Sequence, residues 1–364
     1  MSDSNNLEPA RRDLSVASRA LDGQVRVVEA SAPTRTADVG GWTDTWFAHE
    51  GLVCNIALDH RAEVRVTMTP SDQRSVRLRI RMTGEVHEFM ADTPPGRHPI
   101  IEHAVLAAAI PGRLEVDIAD SVLAGSGLGT SASVMVALVA ALSAAAGESL
   151  STDALVARAH RYETITGKQS GVQDHAAAAW GGISRLDVRY PDVRRHEITV
   201  PFGALASLRS RLHTVFLGAP HASSELHDEV IARLDAGHGG RELDLMRTAA
   251  ARAVASLGAG DLDAYGASLT AAHEAIAEMH GRLVGDDAAE LVELARLHGA
   301  TGWKVNGAGG DGGSIVVLGP DDAERDAALV DAFAARPGWQ VLDAGIAAAG
   351  IVTTVRSADP DRLS

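Results

Sequence analysis

The chain has 364 residues, 46% hydrophobic but only 4% aromatic, with a net charge of −15. That length provides two lobes or one large domain around an aliphatic core, and the acidic balance excludes a general nucleic-acid binder, which needs a basic footprint. One cysteine, Cys54, excludes an intrachain disulfide framework and a Cys-rich zinc site.

Residues 1–22 read as a polar lead-in without the apolar core of a signal peptide, so the expected compartment is the cytoplasm. Gln24 to Ser31 has the pattern of a strand, and the turn-rich Pro33 to Asp44 (PTRTADVGGWTD) that of a loop. Leu52 to Leu58, Ala62 to Thr69, Ser75 to Arg81 and Val86 to Met90 continue a β-rich region. A helix over Ile100 to Ala109 and a strand over Arg113 to Ile118 follow. Beyond Ser151 the pattern is mostly helical: STDALVARAHRYETI opens on a cap at Ser151 or Thr152. Strands are predicted at Gly181–Leu186, His196–Val200 and His213–Leu217. Helices are predicted at Arg241–Leu257, Leu262–His280, Asp286–His298 and Asp321–Ala335. The chain closes on short strands near Gln340–Leu342 and Ile351–Val355.

One stretch stands out, LAGSGLGTSASVMVALVAAL from Leu123 to Leu142. Its apolar run, Val134 to Ala146, is about 13 residues and is broken by Ser143, too short for a span of about 20. Two readings remain: a core helix with a glycine entry, or a phosphate cradle. In a cradle, glycine amides approach a phosphate and the helix N-terminus adds free donors. No lysine follows the glycines as in GxxxxGK[ST], and the GxGxxG register of dinucleotide folds is absent. Only two of the 33 basic residues are lysines, Lys168 and Lys304, and both fall in motif-bearing stretches.

Three segments in chain order carry a resemblance: PTRTADVGGWTD, GSGLGTSAS, and KVNGAGGDGG ahead of a strand. Together they resemble the motifs of the GHMP kinase superfamily (galactokinase, homoserine kinase, mevalonate kinase). The likeness runs from Ala32 to about Leu318. The resemblance implies an α+β GHMP kinase fold of two lobes. Residues 23–200 would form a ribosomal protein S5 domain 2-like ATP-binding lobe, and 201–364 a ferredoxin-like lobe. It also implies ATP and Mg²⁺, a small-molecule acceptor, no nucleic acid or membrane partner, and a monomer or homodimer. QDHAAAAWGG and GAPHASS are most similar to kinases of D-glycero-D-manno-heptose 7-phosphate, which act on the anomeric oxygen, although Val172 stands where those enzymes carry a lysine.

Carried over residue by residue, the resemblance makes Asp174 the catalytic base and Arg35 its partner beside the transferring phosphoryl group. Gly125, Ser126, Gly127, Leu128, Gly129, Thr130 and Ser131 become the phosphate loop. Ser131 and Glu163, the latter eleven residues before Asp174, become Mg²⁺ ligands. Gly41, Thr43, Asp44, Asp174 and Gly310 become acceptor-binding residues. Plainer roles compete at several positions: helix capping for Asp174 and Ser131, a solvated helix face for Glu163, turn chemistry for Asp44. Gly41-Trp42 replaces the Glu-His of galactokinase, which speaks against galactose itself. Thr43-Asp44 favours the sugar branch over homoserine- or mevalonate-type acceptors, and a non-catalytic sensor on the same fold is the remaining alternative. Lys168, Asp311 and the loop with His221, Ser223 and Ser224 have no assigned role.

Overall fold

The computed structural model describes residues 24–120, 125–219 and 224–358. The lead-in, Leu123 and Ala124 of the glycine stretch, and His221 and Ser223 lie outside them.

An eight-stranded sheet dominates the first part of the chain. Its strands are β1 (Val25–Val39), β2 (Glu50–Thr69), β3 (Ser75–Ile80), β4 (Glu85–Met90), β5 (Arg113–Asp120), β6 (Ile183–Arg189), β7 (Asp192–Glu197) and β12 (Val352–Ala358). The order β12-β1-β2-β5-β3-β4 is antiparallel except for the β3–β5 pair, and β6 and β7 extend from the far end of β2. A second, four-stranded antiparallel sheet runs β11 (Gln340–Leu342), β8 (Leu212–Phe216), β10 (Ser314–Leu318), β9 (Gly302–Val305).

Four expectations change. Pro33 to Val39 is strand, not loop: β1 continues through it, with Thr34 to Thr36 facing Ile56 to Leu58 across shifts in register. Turn-forming residue types are tolerated there because the segment is buried and paired on one side. The two strands expected at 52–58 and 62–69 are one 20-residue strand, β2, that changes partners along its length. The strand expected at 196–200 ends at Glu197. The last strand, β12, pairs with β1, so the chain's final segment returns to the first sheet instead of staying with residues 201–350.

Of helices α1 (Pro99–Ala107), α2 (Thr130–Ala145), α3 (Thr152–Thr164) and α4 (Gln173–Trp180), α2 and α4 lie on the large sheet, and α1 and α3 pack against them and each other. Ser151 caps α3, accepting from the Ala154 amide at 3.2 Å. Helix α2 carries the apolar run. It is hydrophobic on nearly every side, with eleven of its sixteen residues buried, which is the signature of a core helix. Helices α5 (Phe202–Arg211), α6 (Ser224–Asp235), α7 (Gly240–Ala259), α8 (Leu262–Met279), α9 (Asp286–Leu297) and α10 (Ala323–Ala334) make up most of the rest, and α5 and α6 are additions to the sequence reading. One cluster of buried side chains joins the two sheets: Ala37, Val39, Cys54 and Ile56 pack with Leu269 of α8 and Val316 of β10. That shared core fixes the end of β1 against the second sheet, and the site lies beside it. No helix among the described residues is long and apolar enough to cross a membrane.

Candidate active site

Because β1 extends through the first motif, Arg35 sits on a rigid, doubly held strand. Its amide donates to the Leu128 carbonyl at 3.0 Å. Its guanidinium donates through Nε to Asp174 Oδ1 at 2.8 Å, through Nη2 to Asp174 Oδ2 at 3.3 Å, and through Nη1 to the Gly127 carbonyl. A single buried cation therefore ties the first motif, the glycine loop and α4 together. Burial works against its charge, but Asp174 and Asp38 hold its pKa above the ordinary range, so it stays a cation. The Asp174 side chain is 26% exposed, against 3% for Arg35, so the carboxylate keeps an open edge while its partner is sealed. Val172 is the N-cap of α4, and the Asp174 carboxylate is engaged by Arg35, not by the helix end. Gly129 lies against it: a Cβ there would stand 3.0 Å from Asp174 Cγ, and its φ of +73° suits only glycine. Asp174 thus abuts the glycine loop directly.

A second ion pair lies beneath. Lys304 of β9 and Asp38 of β1 are fully buried, with Nζ to Oδ1 at 2.8 Å. Asp38 also accepts from the Gly307 amide at 3.1 Å and from Gln173 Nε2 at 3.3 Å, and Arg35 Nη2 stands 3.7 Å away. Neither residue was among the predicted site residues. Both were signposted, Asp38 by its place inside the first motif and Lys304 as one of only two lysines.

Asp44 is buried behind Gly171. Its carboxylate accepts from the Gln173 amide at 3.0 Å, and a Cβ on Gly171 would fall 2.1 Å from Oδ2. Burial first, and then the nearby Asp174 charge, push its pKa up to about 6. Three other acceptor candidates are placed differently. Thr43 is fully buried, its hydroxyl donating to the Gly40 carbonyl at 2.6 Å and accepting from the Leu52 amide at 3.3 Å, so it serves the turn. Gly41 packs on Asp38 and Gln173. Gly310 bridges to Val284 and donates to the Leu283 carbonyl at 2.7 Å. These three are absent from the wall of the cavity that holds Arg35, Asp44 and Asp174, about 440 Å³ in volume. Asp311 is exposed beside Gly285, also away from that wall.

The glycine loop has the features of a cradle. Gly125, Gly127 and Gly129 all have positive φ (71°, 75° and 73°), and helix α2 starts at an N-cap glycine without a side-chain cap. The Ser126 and Thr130 hydroxyls are buried with no hydrogen-bond partner. Free helix-end donors and orphaned hydroxyls together suit an anion such as a phosphate. Beside the loop opens a second cavity of about 440 Å³, walled by Gly125, Thr130 and Ser131 and by apolar side chains including Ile80, Ile101, Val134 and Met135.

Ser131 does not cap its helix. Its hydroxyl donates to Glu163 Oε1 at 2.5 Å, and the Lys168 ammonium donates to both, to Ser131 Oγ at 2.9 Å and to Glu163 Oε1. Glu163 is buried, yet the His175 imidazole, 2.7 Å from Oε2, and the Lys168 charge hold its pKa well below the carboxylate range. The pair is a hard-oxygen site already shaped around a positive charge. Among the described residues there is no group of three or more His, Cys, Asp or Glu side chains that would hold a metal alone. A cation here would need further oxygens from water or from a phosphate, as Mg²⁺ sites commonly do. His175 is a further residue that sequence reasoning missed; it differs from a core histidine only by facing Glu163.

The third glycine run acts as a brace. Asn306 Oδ1 accepts from Thr36 Oγ1 at 3.1 Å and from the Ala37 amide at 3.0 Å, while its Nδ2 donates to Ser314 Oγ at 3.0 Å. Ser314 in turn donates to the Ser126 carbonyl at 2.7 Å.

Residues 100–182 match the family described as GHMP kinases N terminal domain. The chain is 26% identical over 302 residues to mevalonate kinase from Methanothermobacter thermautotrophicus, covering 80% of this chain and 90% of that protein. It is 27% identical over 348 residues to galactokinase from Mycobacterium tuberculosis, covering 83% and 91%. Among solved structures, a D-glycero-D-manno-heptose 1-phosphate kinase from Bacteriodes thetaiotaomicron superposes with a TM-score of 0.71 at 18% identity, over 90% of this chain and 98% of that one.

Proposed function

We propose that this chain, which belongs to the GHMP kinase family, transfers the γ-phosphoryl group of ATP to a hydroxyl of a sugar or sugar phosphate, the anomeric hydroxyl first among them. The observation that carries the reading is the Arg35–Asp174 pair: it is set against Gly127 and Gly129 of the glycine loop and opens into a cavity.

The apolar cavity beside Gly125, Thr130 and Ser131 suits the base of ATP, and the loop amides and orphaned hydroxyls suit its phosphates. The acceptor enters the other cavity, whose wall draws on both parts of the chain, from Arg35 and Asp44 to His227 and Gly307. Asp174 takes the proton of the acceptor hydroxyl as that oxygen bonds to the γ-phosphorus and the bond to the β-phosphate oxygen breaks, leaving ADP. Phosphoryl transfer asks mainly for positioning and charge neutralisation. Arg35 supplies both: it fixes the rotamer of Asp174 by a two-point contact and presents a permanent positive charge. Ser131 and Glu163 would hold Mg²⁺, which when bound neutralises phosphate charge; Lys168 would yield its place there. Asp44 in the cavity wall supports a polyol acceptor over homoserine or mevalonate, since a buried carboxylate suits hydroxyl donors and opposes the carboxylate those two acceptors carry.

The test is a panel of sugars and sugar phosphates incubated with ATP and Mg²⁺, scored by ADP release and by ³¹P NMR of the product. ADP formed with a sugar and a phosphate on its anomeric oxygen would support the reading. ATP binding without turnover on any member of the panel would refute it in favour of a sensor.

A further inference from the structure

We propose that the acceptor is an uncharged polyhydroxylated molecule, a free sugar and not a sugar phosphate, with an apolar ring face laid against Trp46 and Phe47. The proposal rests on the kinase reading of this cavity and narrows it.

Charge carries the first half. Among the described residues the cavity is lined by four carboxylates, Asp38, Asp44, Asp174 and Asp228, against two lining cations, Arg35 and Lys168, and a third, Lys304, paired with Asp38 from behind. Arg35 is committed to Asp174 and Asp38, and Lys168, held by Ser131 and Glu163, is the one lining cation that metal binding there would release. The titratable histidine in the wall is His227, whose Nε2 lies 3.1 Å from the Gly309 carbonyl; burial lowers its pKa and so favours the neutral ring. The acidic groups are themselves short of compensation: Asp44 is buried next to Asp174 and its carboxyl is pushed up to about 6. A phosphate on the acceptor would bring two more negative charges into a field that is negative before the nucleotide arrives.

Aromatic geometry carries the second half. In a chain that is only 4% aromatic, Trp42, Trp46 and Phe47 line this one cavity. Trp46 and Phe47 stand edge to face at 5.0 Å, and Phe47 and Trp42 are tilted at 6.2 Å. Trp46 is oriented by its Nε1 donating to Asp235 Oδ1 at 3.1 Å. A sugar ring has an apolar C–H face and a rim of hydroxyl donors. Aromatic rings and carboxylates in one cavity wall match the two kinds of surface on a neutral sugar, and the carboxylates repel an anionic one.

The experiment measures kcat/KM for matched pairs, each free hexose or heptose with its terminal phosphate ester, at fixed Mg²⁺-ATP. The free sugar should be preferred in at least one pair, by about 10-fold or more, given carboxylate repulsion at this range. Asp228 is exposed on α6, so Asp228→Lys should fold; it should shift the sugar-to-ester ratio several-fold towards the ester. Trp46→Ala should raise KM for the free sugar with little change in kcat, and Trp46→Phe, which keeps an aromatic face, should recover most of that loss. A wild-type preference for the esters, above all one abolished by Lys168→Met, would overturn the proposal while leaving the kinase reading intact. Absence of ADP with every sugar and every ester would overturn the kinase reading, and this proposal with it.

Discussion

Replacing Asp44 by asparagine should stabilise the fold and impair acceptor binding in the same protein. Asp44 is 2% exposed, and burial lifts its folded-state pKa from 3.8 to about 6. A carboxylate whose pKa is raised on folding contributes stability that is fully present below the unfolded value, near 4, and lost as pH rises through about 6. At neutral pH the ionised group therefore costs the folded state the full shift, about 3 kcal/mol at 1.36 kcal/mol per unit. Asparagine has the same shape, and its carbonyl can still accept from the Gln173 amide that now bonds Oδ2. Urea unfolding of both proteins at about pH 8 should show Asp44→Asn more stable by up to that amount, with the difference closing towards about pH 4. Steady-state assays should show a raised KM for the acceptor, because a hydroxyl donor loses an ionised partner. A variant less stable than wild type at the higher pH, or a difference that does not change with pH, would refute the account of Asp44 as a desolvated carboxylate kept for binding.

Asp174→Asn should lower the unfolding midpoint, because the buried Arg35 loses its nearest carboxylate charge, and should lower kcat in the folded protein by about 10²- to 10⁴-fold, the usual worth of a positioned base; a loss under threefold would remove Asp174 from that role. Ser131→Ala should raise the Mg²⁺ and ATP requirement more than the acceptor KM, read by titrating each at saturation of the others. Lys304→Met leaves Asp38 buried with weaker compensation, and thermal or urea unfolding should show a loss of about 3 kcal/mol, at the low end for a broken buried pair because Arg35 lies 3.7 Å away.

The fold was legible wherever a short-range pattern decided it. The alternating and 3.6-period stretches became strands and helices close to their expected limits, and the apolar run after the glycines became the buried helix α2. It was illegible where a distant partner overrode local preference. Pro33 to Val39 has turn chemistry but is held in the strand by β2 on one side and by Asn306 on the other, with a register shift at the left-handed Ala37. Within the candidate site, Arg35, Asp174, Ser131 and Glu163 could be picked out because their motifs occur in order. The pairing of Asp38 with Lys304 spans 266 residues, and no local pattern encodes it. His175 is hidden for the same reason: its relation to Glu163 exists only once α3 and α4 pack together.

The three glycine-rich segments therefore have unlike physical reasons for their glycines. In the second, positive φ and the contact of Gly129 with Asp174 leave no space for a side chain, and the buried Ser126 and Thr130 hydroxyls have no partner. In the third, Gly307 lies 3.0 Å, measured from its would-be Cβ, from the Gly127 carbonyl, while Asn306 and Ser314 lock the second sheet to β1 and to Ser126. The first contributes Arg35 and Asp38 from strand and only then turns at Gly40, where a Cβ would strike the Leu52 carbonyl at 2.1 Å. A loop that must receive a charged ligand without collapsing needs such bracing, because its own donors are left unpaired until the ligand arrives. The ion pair of Lys304 and Asp38 supplies it from below: Asp38 accepts from Gly307 of the third segment and from Gln173 beside Asp174. The buried pair thus acts on the geometry of the Arg35–Asp174 contact without reaching the cavity's reacting edge, which is why its removal should lower stability first and turnover only through the displaced carboxylate.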